Sequence, residues 1–227
     1  MNNKNEMDTG NTQIPIFPAG AALESFRDGG YKNTANAVAE IVDNSIDANA
    51  KDIRIFTLST KQKVKTRVKM RVDEIGVLDN GTGMTKEEID SCLGFGISGR
   101  DIKDSKIGRF GVGMTQSSIS QCRRIEVYSW QAKGKTFFNY LDIDEVQDKG
   151  TQFLPNAVEK DIPERVKNIY KGNIEESGTL VIWKDCDRLD ISISDALYRR
   201  MNKHLCRVYR HFLDDDDYLG DQRNINF

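Results

Sequence analysis

The segment AVAEIVDNSIDANAK carries a row of carboxylate and amide side chains within an apolar helical pattern. On a helical wheel of about 100° per residue, the polar residues fall on one side and the valines and isoleucines on the other. The row consists of Glu40, Asp43, Asn44 and Asp47. Carboxylates three and four residues apart repel each other, and no lysine follows before Lys51, so a magnesium ion with bound phosphates would account for the row. A solvated acidic helix face is the alternative.

A glycine-rich stretch, IGRFGVGMTQSSIS, could bind an anion. Gly108, Gly111 and Gly113 precede a helix predicted over 114–121. Backbone amides at the N-terminus of a helix bind anions, and a triphosphate would suit them. The alternative is a glycine-rich helix entry without a ligand. The nearby GFGISG has the letters of a dinucleotide fingerprint but follows a predicted helix rather than a strand, and the sequence contains no G-x-x-x-x-G-K-[ST].

The stretch LDNGTGM places a carboxylate at the end of a predicted strand. Asp79 could accept a hydrogen bond from an exocyclic amine, which would select adenine over guanine. Gly81 and Gly83 would let a flat base approach the backbone closely. A type I′ hairpin turn is the alternative, since Asp-Asn-Gly also suits that turn.

The periodicity of the chain predicts the elements that must position these residues. Helices are predicted over 19–28, 34–48, 85–93, 114–121 and 194–213, with a capping box formed by Thr85 and Glu88. Strands are predicted for DIRIFTLS, KQKVKTRVKMRV, EIGVLD, RRIEVYSW, KTFFNYLDI, TLVIWKD and the start of NINF. RRIEVYSW and KTFFNYLDI should form a hairpin through Gly134. The result is a mixed or antiparallel sheet with helices on one side.

The run KQKVKTRVKMRV has a basic residue at every odd position from Lys61 to Arg71. Valine and methionine alternate with these residues, which predicts a strand with one charged face. One interpretation is a solvated sheet edge on which lysines prevent aggregation. The other is a surface for nucleic acid or for an acidic partner.

Composition limits the classes of protein. The chain has 227 residues, 38% of them apolar and 30% charged, with a formal net charge of −2, which excludes an argument for nucleic acid from global charge. No run of 18 apolar residues and no export signal is present, so we expect a cytoplasmic protein without a membrane partner. The four cysteines lack the short spacings of a zinc or redox motif and predict reduced, mostly buried thiols.

Taken in order, these motifs and SGTLVIW resemble those of the GHKL ATPase superfamily, which includes gyrase, heat-shock chaperone, histidine kinase and MutL. The E-x-x-x-N box is Glu40 and Asn44, and the D-x-G-x-G box begins at Asp79. The resemblance implies the Bergerat ATP-binding fold, an α+β two-layer sandwich with a mixed, mostly antiparallel sheet and helices on one face. The combination of LGFGIS, IGRFGVGM and SGTLVIW looks most like the MORC group and its prokaryotic relatives.

The same resemblance implies roles for individual residues. Glu40 would be the general base that activates water, Asn44 would hold Mg2+, and Asp79 would bind the adenine amine with support from Thr179. The remaining residues expected to contact ATP are Asp47, Ala48, Lys51, Gly83, Met84, Gly108, Gly111, Val112, Gly113 and Met114.

The resemblance also implies a domain organisation and an activity. We expect a polar arm over 1–18, an ATP-binding domain over 19–190 with a lid over 94–113, and a C-terminal helix followed by the start of a truncated transducer domain over 191–227. The expected activity is a slow, Mg-dependent ATPase whose cycle drives lid closure and homodimerisation on DNA or a protein client. The alternatives are a switch that binds ATP or ADP without hydrolysis and a histidine-kinase-type phosphotransferase. The latter fits less well because His204 and His211 lie on the late helix.

Overall fold

A computed structural model describes residues 19–64, 66–95, 113–131, 135–170, 176–213 and 222–226. Its helices are α1 (Ala19–Gly29), α2 (Thr34–Asp47), α3 (Lys86–Ser91), α4 (Gly113–Ile119), α5 (Ile143–Lys149), α6 (Glu164–Ile169), α7 (Ser194–Val208) and α8 (Arg210–Leu213). Its strands are β1 (Asp52–Val64), β2 (Arg67–Asp79), β3 (Arg124–Trp130), β4 (Phe137–Asp142), β5 (Val158–Glu159), β6 (Gly178–Lys184) and β7 (Asn224–Asn226). The predicted arm over 1–18 and Gly134 lie outside the described residues.

The seven strands form one sheet in the order β5-β4-β3-β6-β2-β1-β7. Neighbouring strands run antiparallel, except that β7 runs parallel to β1. The predicted α+β class with a mixed, mostly antiparallel sheet is therefore confirmed. The pairing of β3 with β4 and the strand within NINF are confirmed as well.

Both faces of the sheet are buried because apolar residues occupy successive positions of the central strands. Ile75 and Val77 of β2 and Trp183 of β6 join the core beneath α1, α2, α4, α5 and α7. Leu78 of β2 and Leu180 of β6 point to the opposite face and join a second cluster there. Alternate side chains of a strand point to opposite faces, so one apolar run supplies both clusters.

The second cluster is covered by α6, which the sequence did not predict. Val166 is fully buried there with Tyr128 and Ile182. The helix has six residues and one buried side chain, which is too short for a helical period to show in the sequence. Most helices lie on the predicted face, and this short helix adds a partial layer on the other.

β1 and β2 continue as a two-stranded hairpin beyond the rest of the sheet. We call residues 60–71 the basic ribbon. Lys61 pairs with Met70 and Lys63 with Val68, so each odd-numbered basic residue of β1 shares a face with an even-numbered apolar residue of β2. The predicted single strand with one charged face is wrong, because the chain reverses between Val64 and Arg67.

α7 packs against α2 and contributes to the main core. The apolar periodicity of 194–213 predicts one buried stripe with Leu197, Met201, Leu205 and Val208, and the first three of these are buried. Val208 is instead 45% exposed, and Tyr209 takes the buried position after the helix. The predicted domain boundary at residue 190 stays a prediction.

All four cysteines are free thiols, and Cys206 is exposed. In the described residues, no helix is long and apolar enough to cross a membrane.

Candidate functional site

Glu40 lies on the outward side of α2 and is held by contacts from two other elements. Tyr31, in the link between α1 and α2, donates a hydrogen bond from its hydroxyl to Glu40 Oε1 at 2.7 Å. Burial and this bond raise the pKa of Tyr31 above its usual value, so the phenol stays a donor. A Cβ built on Gly113 would lie 2.7 Å from Glu40 Oε2. The carboxylate therefore rests against the start of α4, in space that a side chain at Gly113 would fill.

Asp43 belongs to the predicted row but contacts α7. Its Oδ1 accepts a 2.6 Å hydrogen bond from the hydroxyl of Tyr209, which also lies 2.9 Å from Ala39 O. Burial raises the pKa of Asp43, and the charge of Glu40 adds to the effect. The predicted row of Glu40, Asp43, Asn44 and Asp47 is therefore divided, because the Asp43 carboxylate is bonded to Tyr209, the residue that follows α7.

The end of α2 is joined to the end of β2 by backbone and side-chain hydrogen bonds. The amide of Thr82 donates to Ala48 O at 2.9 Å. The side-chain oxygen of Asn80 accepts hydrogen bonds from the amides of Lys51 and Asp52, each at 2.8 Å. A Cβ on Gly81 would lie 2.8 Å from Ala48 O, which shows how closely the two segments approach. We call these contacts the α2–β2 link.

The α2–β2 link places several predicted site residues on one side of the molecule. Asn44 is exposed one turn before the end of α2, and Asp47 and Ala48 are half-buried. Lys51 is exposed just beyond them. Ala48 contacts the loop that follows Asp79. Asn44, the predicted metal ligand, and Asp79, the predicted adenine ligand, therefore lie near the ends of two elements that are bonded to each other.

Asp79 ends β2 as a carboxylate that is only 7% exposed. Its Oδ1 accepts hydrogen bonds from the amides of Gly81 (2.8 Å) and Thr179 (3.2 Å), and its Oδ2 lies 2.9 Å from Ser45 Oγ. Burial raises the pKa of Asp79, while these three hydrogen bonds oppose that rise. The chain continues from here to α3, so the alternative of a hairpin turn is excluded.

The wall next to Asp79 is formed by β3, β6 and the loop after β2. Gly83 has φ = 68°, and a Cβ there would lie 2.0 Å from Trp130 O, so only glycine fits. The amide of Met84 donates to Ser129 Oγ at 2.8 Å, and that oxygen lies 2.9 Å from Thr179 Oγ1. Met84 and Thr179 are thus joined through one serine.

Sequence reasoning missed three residues of this site. Tyr31 and Ser129 gave no local signal, because each acts through an element distant in the chain. Ser45 did give a local signal, because it directly follows Asn44 and falls on the sheet-facing side of the helix, where a polar residue needs a partner.

Comparison with known proteins assigns the family. Residues 31–179 match the family model described as histidine kinase-, DNA gyrase B-, and HSP90-like ATPase. The chain belongs to this family. The predicted GHKL superfamily, with chaperone-like and MORC-like relatives, is confirmed.

Individual relatives of this GHKL ATPase domain are chaperones and a MICRORCHIDIA protein. It is 31% identical to the chaperone protein HtpG of Idiomarina loihiensis, over 55% of this chain and 24% of HtpG. It is 27% identical to HtpG of Pseudoalteromonas translucida, over 58% of this chain and 25% of the relative. It is 30% identical to Protein MICRORCHIDIA 6 of Arabidopsis thaliana, over 47% of this chain and 15% of the relative. The chain thus spans a quarter or less of the length of these relatives.

The glycine-rich part of the GHKL domain is described only at its two ends. Gly108, Gly111 and Val112 lie outside the described residues, as does the predicted lid apart from Gly94, Phe95 and Gly113. Gly113 and Met114 begin α4, close to the predicted helix start. Phe95 stacks on Phe26 of α1, with ring centroids 4.7 Å apart. The hydroxyl of Thr115 in α4 is buried and has no hydrogen-bond partner among the described residues.

In the part of the chain that the structure describes, no group of three or more His, Cys, Asp or Glu residues is arranged to hold a metal ion.

Proposed function

We propose that this domain binds ATP with Mg2+ and hydrolyses it slowly. Family membership supports ATPase chemistry in general, and the arrangement of Asp79 supports adenine as the base. A carboxylate has about four acceptor positions, and protein donors use at most three of those on Asp79. The position left on Oδ2 would accept the exocyclic amine of adenine, directly or through water. Guanine presents an oxygen at that place and would be rejected.

Residues around Asp79 would complete the part of the site that binds the base and the ribose. The hydroxyl of Thr179, held by Ser129, would support the base as a second polar group beside the carboxylate. Ala48, Met84 and Val112 would enclose the base and ribose, with Gly83 allowing the backbone to lie close to them. Lys51 would lie near the ribose or the phosphates.

The phosphate end would lie between α2 and α4. Glu40 would take a proton from the attacking water, and Tyr31 would keep its carboxylate oriented. Asn44 would ligate Mg2+, with Asp47 nearby, and the bound ion would neutralise charge on the phosphates. Gly108, Gly111, Gly113 and Met114 would supply backbone contacts to the phosphates.

A wider role is proposed from the relatives. Nucleotide-driven lid closure and homodimerisation, acting on a protein or DNA client, agree with relatives named as a chaperone and as a MICRORCHIDIA protein. A cytoplasmic location stays a prediction. The second candidate function is an ATP or ADP switch without hydrolysis, which would need the residues around Asp79 but not a base at Glu40.

The test combines calorimetry with phosphate release. ATP and ADP should bind in the presence of Mg2+, and GTP should bind at least about 10-fold more weakly, because one charged hydrogen bond is lost. Glu40→Gln keeps the acceptor for Tyr31, so ATP affinity should change less than about threefold while turnover falls about 100-fold or more.

The matched control for this test is Glu145→Gln. Glu145 also accepts a hydrogen bond from a tyrosine, Tyr140, but lies on α5 away from the site. Its substitution should leave turnover unchanged. Undiminished turnover in Glu40→Gln would refute the assigned base, and absence of ATP binding under all conditions would refute the proposed function. Binding without any phosphate release by the wild-type chain would establish the switch instead.

A further inference from the structure

The basic ribbon concentrates positive charge in a chain that is otherwise acidic. Residues 60–71 contain six lysines and arginines and no acidic residue. Since the whole chain has a formal net charge of −2 and the ribbon contributes +6, the rest of the chain carries −8. An anionic partner would be attracted at the ribbon and repelled elsewhere, which would fix its orientation.

The ribbon extends beyond the packed part of the sheet. β6 pairs with β2 over Ile75–Asp79 and β7 pairs with β1 over Asp52–Arg54, while residues 60–64 pair with residues 67–71 and with no other strand of the described chain. At its base, the amide of Val72 donates to Ser192 O at 2.8 Å. Five cross-strand pairs at about 3.4 Å per residue give a projection about 17 Å long.

The basic ribbon differs from a sheet edge that only carries lysines to prevent aggregation, because it also exposes apolar side chains. Val68 is 67% exposed and Met70 is 54% exposed, and both share a face with Lys61 and Lys63. Lysines alone would explain protection from aggregation, but exposed apolar residues between them work against it. Among the described residues, no ion pair joins Lys61, Lys63 or Lys69 to an acidic side chain. These charges are available to a partner.

We propose that the basic ribbon binds double-stranded DNA by lying in the major groove. A two-stranded ribbon fits the major groove of B-form DNA, which is about 12 Å wide, whereas the major groove of A-form RNA is too narrow. Val68 and Met70 face the base edges, where thymine methyl groups offer apolar contact, and the long side chains of Lys61 and Lys63 on the same face reach the flanking phosphates. Lys69 lies on the opposite face and adds to the charge that attracts the duplex. This binding does not depend on the proposed nucleotide site.

The test is fluorescence anisotropy of the full chain, without nucleotide, on a labelled duplex of about 20 base pairs, roughly two helical turns. The slope of log K against log salt concentration should be about −2 to −3, as expected for two or three phosphate contacts. The triple variant Lys61→Glu, Lys63→Glu and Lys69→Glu should bind at least about 10-fold more weakly and lose most of that slope. Circular dichroism checks that this variant folds.

Two further variants separate groove binding from general charge attraction. Lys135→Glu, Lys149→Glu and Lys203→Glu together change the net charge equally at exposed sites off the ribbon, and should leave DNA affinity within about threefold of wild type. Val68→Ser with Met70→Ser should weaken binding while keeping the salt slope. Equal losses in the two charge variants would overturn the proposal. So would equal binding of a labelled polyglutamate peptide or of anionic lipid vesicles, which would assign the ribbon to an acidic protein or to a membrane surface.

Discussion

Asp79 accepts hydrogen bonds from two backbone amides and lies beside a serine hydroxyl that also contacts Ile41 O at 3.1 Å. This network permits a nearly isosteric test. In Asp79→Asn, the amide oxygen can keep both backbone donors, and the new NH2 group can donate to Ser45 Oγ while that hydroxyl donates to Ile41 O. The fold should therefore survive, although the acceptor for adenine becomes a donor.

Asp79→Asn should weaken ATP binding by about 10- to 100-fold, the loss expected for one hydrogen bond to a charged group. It should also change how stability depends on pH. Folding raises the pKa of Asp79 above its ordinary 3.8, so this group's contribution to stability is fully present below that pH and is lost as pH rises through the raised value. The free energy of unfolding of the variant, minus that of wild type, should therefore increase across this window. Urea unfolding at a series of pH values measures it.

Asp90→Asn is a control for which the pH dependence of stability should have the opposite sign. Its pKa is lowered, mainly by the hydrogen bond from the amide of Ala157. Its contribution to stability is present above the ordinary pKa and lost as pH falls, so Asp90→Asn should show a difference that decreases as pH rises. If both variants gave parallel pH profiles, the raised pKa of Asp79 would be wrong.

At the residue level, the sequence predicted the positions on α2 and at the end of β2, because the spacing of polar residues is local information. It could not predict Tyr31 or Tyr209, which bond to Glu40 and Asp43 from other elements. Nor could it separate Asp43 from its neighbours, since the difference arises from a hydrogen bond with Tyr209, 166 residues later in the chain.

Among the elements, α7 has the largest consequence for the site, since it packs on the back of the helix that carries Glu40. Met201→Ala should lower the free energy of unfolding by about 2–5 kcal/mol, because Met201 is 1% exposed and its removal leaves a cavity. Lys203→Ala on the exposed side of the same helix should change it by less than about 0.5 kcal/mol. Chemical denaturation measures both values. Equal stabilities would show that α7 is not part of the core.

The sequence predicted those elements whose signals are local. The capping box of α3 is present, with Thr85 and Glu88 bonded reciprocally, and α2 begins and ends within one residue of its predicted range. The register of the basic ribbon was not predicted. It depends on the position of one reversal, and a shift of one residue exchanges the two faces.

Over the whole molecule, accessibility should separate the four thiols by their rate of labelling. Burial raises the pKa of Cys92 to about 12 and also raises the pKa values of Cys122 and Cys186, so these thiols stay protonated at neutral pH. Cys206 is exposed, Cys92 is half-buried, and Cys122 and Cys186 are buried. A thiol reagent at neutral to mildly basic pH should therefore label Cys206 rapidly, Cys92 more slowly, and the two buried cysteines only on unfolding.

Cys206→Ser should remove the rapid phase of labelling, while Cys122→Ser should leave it unchanged. Rapid labelling of Cys122 or Cys186 in the folded wild-type chain would contradict their burial. The overall class of fold and the mostly buried cysteines followed from composition and motif order, but the exposure of Cys206 depends on how α7 is turned, which only the packed structure gives.

The α2–β2 link restricts how this protein can change during evolution. Asn80 fixes the chain at Lys51 and Asp52, and Ala48 fixes it at Thr82, so neither segment can gain a residue without displacing the other. Insertions here should be rarer than in surface loops of similar length. A new base preference would have to arise by substitution alone, without altering the spacing to Asn44.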